Sequence, residues 1–223
     1  MRVASLVPWL VMSTVFLAAL SGLLRFRRLP PSLRWLALLA CFDALMELTV
    51  LILSKVLHVK SNLFFIPFVA IGEVGLLFLA YREALRSAAF ARALPWVVGL
   101  FSAYALLDSL AGLGVVHYAT GVQLTADLLQ LGLAALYFWQ LLHELRVERL
   151  RADPFFWVSV GLVVFVLGDM LITLFSNYLL SHYSHRLQVI LILAVRPWFI
   201  ITLYCCYSLA LWMRPPKPNS FNS

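Results

Sequence analysis

Seven stretches of this chain are long and apolar enough that a helix in lipid is the expected fate of each. They lie near residues 3–24, 35–57, 63–82, 95–116, 121–143, 155–177 and 187–213. A helix needs about 20 apolar residues to cross the hydrocarbon layer of a bilayer. Backbone groups in lipid must find partners within their own segment, so helices are expected over strands. Composition agrees: 63% of the chain is hydrophobic and 12% is charged, against about 25% charged for a soluble domain. One aqueous core could not hide that much apolar surface. The sequence predicts an all-α integral membrane protein with one seven-helix domain over 1–213 and a short tail, 214–223.

The connections set the expected orientation. "RFRRLPPSLR", "YREALRSAAFARAL" and "ELRVERLRAD" are rich in arginine, and Arg214 and Lys217 follow the last span. The alternate connections, "HVKSN", "HYATGV" and "YLLSHYSHR", are poor in charge. Lys and Arg number about 12 on one side and about three or four on the other, so the positive-inside rule puts the N-terminus outside and the C-terminus in the cytoplasm. Residues 1–22 are expected to remain as a span, because the basic cluster follows the apolar run instead of preceding it. The net charge of +7 does not imply nucleic acid, since the cations sit between apolar runs and not on one polar face. Cys41, Cys205 and Cys206 all lie in apolar runs and supply no disulfide framework. Trp9, Trp35, Trp96, Trp157 and Trp212 fall near span ends, as an interfacial aromatic belt requires.

The ionisable residues inside the spans are the most informative. They are Asp43, Glu47, Glu73, Asp108, Asp127, Asp169 and Arg196. Each would cost roughly 2.5–3.5 kcal/mol at the centre of a lipid-facing helix, so all are expected to face the bundle interior or a wet cavity. With about 1.5 Å of rise per residue, five of them fall roughly 12–15 Å below the outer ends of their spans. Asp127 is shallower and Asp43 deeper. A shared polar chamber in the outer half of the bundle is the expectation. Six carboxyls there meet one guanidinium, so some must hold protons or a bound cation must neutralise them. Arg196 can hold one carboxylate in a two-pronged pair. Pro197 would remove the hydrogen bond to the carbonyl of Leu193, and it is the expected hinge.

His58, His117, His182 and His185 all fall at the outer side. They are weak candidates for a metal, because interfacial histidines are commonly just solvated. No resident cofactor is expected. The sequence also carries an internal echo. "RRLPPSLRW" precedes span two and "RLRADPFFW" precedes span six, with Glu47 and Asp169 each 12 residues beyond the tryptophan. Pro67 and Pro197 lie in spans three and seven. These features suggest parallel repeats in a three-plus-one-plus-three arrangement, a device used by transporters.

"NLFFIPFVAIGEVGLLFLAYREAL" and "DPFFWVSVGLVVFVLGDMLITLFSN" are similar to segments in a group of uncharacterised seven-helix bacterial membrane proteins. That resemblance implies a cytoplasmic (inner) membrane location and carries no activity to transfer. The layout resembles that of microbial rhodopsins, yet the last span has Arg196 and no lysine for a retinal linkage. It also resembles that of sugar transporters with a three-plus-one-plus-three layout, without their Pro-Gln dipeptide.

The expected function is binding of a protonatable or cationic small ligand or ion in the acidic chamber, by a transporter or a sensor. An enzyme is the weaker expectation. A lipid hydrolase would need paired carboxylates as acid and base, but the chain has neither His-Glu-x-x-His nor a nucleophile elbow. A structural subunit would use the same acids to tie helices together, with another membrane protein or a second copy as partner.

Overall fold

The computed structural model describes residues 2–55, 66–85, 87–111, 120–143, 153–182 and 195–213. Among them are seven α-helices: α1 (Arg2–Arg25), α2 (Pro31–Lys55), α3 (Ile66–Leu85), α4 (Ala88–Ala111), α5 (Thr120–His143), α6 (Pro154–His182) and α7 (Arg196–Trp212). A single 3-10 turn, Phe26–Arg28, joins α1 to α2. The described residues are all-helical, in the manner of a membrane protein. Five helices, α1, α2, α4, α5 and α6, are long and apolar enough to cross a bilayer. The other two fall short for local reasons: α3 carries Glu73, Arg82 and Glu83, and α7 has 17 described residues.

Helix ends follow ordinary capping chemistry. Asp153 precedes α6, and its Oδ1 accepts the Phe155 backbone N–H at 3.0 Å. Pro154 then occupies the first helical position, where its missing N–H is harmless. Ser87 plays the same part for α4, its hydroxyl accepting from Phe90 N–H at 3.4 Å. At the C-terminus of α7, the Arg25 guanidinium donates to the carbonyls of Leu211 and Trp212 and lies over the Trp212 ring. Those carbonyls have no partner within the helix, and a cation there also answers the helix dipole.

The helices close into a ring in the order α1, α2, α3, α5, α6, α7, with α7 packing back on α1. α4 stands outside the ring, against α3 and more lightly against α5. Half of the apolar window of α6 is buried in the bundle and only 11% of that of α4. Leu100, Leu107 and Leu110 on α4 are exposed accordingly. Small residues let the ring tighten, as they do wherever membrane helices approach closely. A Cβ on Gly22 would stand 2.8 Å from the Ala37 Cβ, and one on Gly161 would stand 2.7 Å from the Cys206 Cβ. These two glycines fix the α1–α2 and α6–α7 contacts.

Replacing Gly22 with Val is expected to lower stability by about 1–3 kcal/mol through overpacking. Gly99→Ala, where no atom lies within 4 Å of the added methyl, should raise it by about 0.5–1 kcal/mol. Thermal melts of the purified protein in one detergent check both signs.

Candidate functional site

Four helices of the ring carry polar side chains into one layer around α7. The centre of that layer is an ion pair. Arg196, at the start of α7, donates from Nε to Asp169 Oδ1 at 2.5 Å and from a terminal nitrogen to Asp169 Oδ2 at 3.2 Å. The carboxylate is 1% exposed and the guanidinium 26%. Two parallel N–H donors suit a planar carboxylate, which is why an arginine serves here better than a lysine. Gln123 on α5 reaches Asp169 Oδ2 at 3.5 Å and Asp127 Oδ1 at 3.4 Å through the same amide nitrogen. Gln123 and Asp127 are one helical turn apart and so share a face.

Across the layer, Asp43 on α2 accepts a hydrogen bond from the Tyr204 hydroxyl of α7 at 2.9 Å. Glu73 on α3 belongs to the same layer. It is within charge–charge reach of Arg196, Asp169 and Glu47, and also of Asp43 and Asp127. Asp43 and Asp127 are both buried. Each has one oxygen held and one bare, since Asp43 Oδ1 and Asp127 Oδ2 have no hydrogen-bond partner. A buried acceptor left unpaired costs about 1–3 kcal/mol, more if charged, so two in one layer demand an explanation.

The layer thus brings together Asp43, Glu73, Asp127, Asp169 and Arg196. Two expected members stand differently. Glu47 is exposed on α2, against the expectation that every in-span ionisable group turns inward. It lies four residues beyond Asp43, which rotates it about 40° around the helix to the edge of the inward face. Asp108 is half-buried on α4 and takes no part in the cluster's contacts, because α4 lies outside the ring. Pro197 sits in the first turn of the described part of α7. Leu193, to which the hinge expectation referred, lies outside the described residues, as do His58, His117 and His185. His182 ends α6. Among the described residues, no three His, Cys, Asp or Glu side chains converge as a metal site would require.

A second polar layer lies toward the arginine-rich end. The Tyr81 hydroxyl of α3 hydrogen-bonds the Ser159 hydroxyl of α6 at 2.7 Å. Tyr137 of α5 meets Tyr81 edge to face, with ring centroids 6.2 Å apart, and donates to Asp153 Oδ2 at 2.9 Å. Sequence reading passed over Gln123, Tyr204 and the Tyr81–Ser159 pair. The signal for Gln123 was its place one turn before Asp127. For the tyrosines it was that a hydroxyl inside an apolar span must find a partner.

Comparison with family models, curated proteins and solved structures finds no match.

Asp169→Asn removes the carboxylate charge that Arg196 holds through two donors, and should cost about 1.5–3 kcal/mol, as losing hydrogen bonds to a charged group does. Asp108→Asn should stay within about 0.5 kcal/mol of the parent. Thermal unfolding of the two variants side by side checks the contrast.

Proposed function

We propose that this protein binds a cationic small molecule, or a small ion, in the carboxyl layer enclosed by α2, α3, α5, α6 and α7. In this reading all seven helices cross the cytoplasmic membrane, with the N-terminus outside and the C-terminus inside. The three-plus-one-plus-three arrangement is supported by the ring order, in which α4 alone is left out.

The observation that carries the reading is the pair of bare, buried oxygens, Asp43 Oδ1 and Asp127 Oδ2. Helix-tying alone would leave acids paired. Here Asp169 is fully engaged by Arg196, while Asp43, Glu73 and Asp127 remain in excess around it. An ammonium group brings both the positive charge and the N–H donors that such oxygens lack. An organic ammonium suits the layer better than one metal ion, which needs at least three ligating side chains converged, and no such group is present among the described residues.

A lipid hydrolase is less well supported. The paired acids could serve as acid and base, but no group of three His, Cys, Asp or Glu side chains that could hold zinc accompanies them among the described residues. A structural subunit would leave the carboxyl layer insensitive to small cations.

The test is a panel of thermal shifts with sodium, ammonium, propylammonium and putrescine. An organic ammonium at about 100 times its Kd should stabilise the parent by about 2.7 kcal/mol. Asp43→Asn and Asp127→Asn should abolish the shift with the fold intact, and Asp108→Asn should keep it. Equal responses in all three variants would remove the case for this site.

A further inference from the structure

The burial pattern repeats through the chain with more detail than the sequence echo does. Val7, Val15, Ala18 and Ala19 on α1 are buried in step with Val122, Gln130, Leu133 and Ala134 on α5. Leu33, Leu36, Ala40 and Ala44 on α2 are in step with Phe155, Val158, Leu162 and Val166 on α6. Val74, Leu77, Ala80 and Tyr81 on α3 are in step with Tyr204, Tyr207, Ala210 and Leu211 on α7. Over the described residues only two matched pairs reverse between buried and exposed: Ser21 with Leu136, and Glu47 with Asp169.

The helix contacts repeat in the same sense. α1–α2 corresponds to α5–α6, α2–α3 to α6–α7, and α3–α5 to α7–α1, and all six are present. A packing detail tests the correspondence independently. It pairs Tyr137, Ser159 and Tyr81 with Gly22, Ala37 and Leu211. In the first set, Tyr81 touches both of the others. In the second, a Cβ on Gly22 would meet Ala37 at 2.8 Å and Leu211 at 3.6 Å.

The two copies of this corner differ in chemistry. One is Gly, Ala and Leu in plain apolar contact, reinforced at the rim by Arg25 on the α7 carbonyls. The other is closed by a hydroxyl pair and two tyrosine rings. A hydrogen bond between neutral hydroxyls is weak on balance, because each hydroxyl can bond water instead, so it can open and re-form. Tyr81 lies eight residues past Glu73 on α3, about 12 Å toward the arginine-rich end. Between them the interior is plugged by Val74, Leu77, Leu162 and Val166.

We infer that the chain is a duplicated three-helix unit whose halves rock against each other. The Tyr81–Ser159 contact is the gate at the arginine-rich end, so the cation held in the carboxyl layer is carried across the membrane. This rests on the cation-binding reading above for its cargo, but the gate stands on the geometry alone. The corner at Gly22, Ala37 and Leu211 is the fixed counterpart, since a glycine against an alanine leaves no side chain that could swing aside.

The test uses the full chain in liposomes, with Cys41, Cys205 and Cys206 replaced by alanine and a reporter cysteine introduced as Val74→Cys. A membrane-impermeant thiol reagent is applied from the arginine-rich side. Tyr81→Ala should speed labelling at least tenfold and Ser159→Ala, a milder change, about threefold. Leu211→Ala should leave the rate within twofold. A second variant of the cysteine-free chain carries Tyr81→Cys and Ser159→Cys. Bridging them with a short bifunctional reagent should stop counterflow of radiolabelled putrescine and keep its thermal shift. Labelling that does not respond to Ser159→Ala or Tyr81→Ala in folded protein overturns the gate. Binding of putrescine without counterflow in the parent overturns transport. Absence of any thermal shift overturns only the ligand reading, and labelling then decides the gate by itself.

Discussion

A carboxyl group has no stable place against lipid tails, and the arrangement of this bundle follows from that. The ring helices are apolar around most of their circumference, so hydrophobicity alone does not say which side turns inward. The acids do. Asp43, Glu73, Asp127 and Asp169 can each avoid hydrocarbon only by facing a neighbouring helix, and Arg196 gives them one shared positive charge to face. Rotation of α2, α3, α5, α6 and α7 about their axes is thereby set. Helix approach is then limited by bulk, which is why glycine and alanine occupy the tight contacts at Gly22, Ala37 and Gly161.

The polar groups divide the interior into two layers with different chemistry. The layer around Arg196 is charged and incompletely paired. The layer near the arginine-rich end is built on hydroxyls that have partners, with Tyr81 on Ser159 and Tyr137 on Asp153. An unpaired buried acceptor raises the energy of the resting state and lowers the cost of accepting a donor from outside. A satisfied hydroxyl pair carries no such deficit.

Much of the architecture was readable in the chain. Long apolar runs implied helices, and the caps at Asp153 and Ser87 fall where the sequence changes character. The in-span acids were legible as a group, since their rarity in such a composition is itself the signal. Their partners were harder to see. Gln123 and Tyr204 carry no charge, so nothing in a hydropathy profile marks them. Glu47 and Asp108 look equivalent to the clustered acids by type and depth, and they are set apart only by a 40° rotation and by the exclusion of α4.

The long apolar helices and the burial of most of a scarce set of charges were written in the residues themselves. These are properties of single segments, because hydrophobicity and spacing act within a segment. Which carboxylate takes the arginine, which oxygens are left bare, and which helix stands outside the ring are relations between segments far apart in the chain. Those were settled by packing in three dimensions, because an ion pair or a hydroxyl contact forms over about 3 Å, and that distance exists only once the helices have docked.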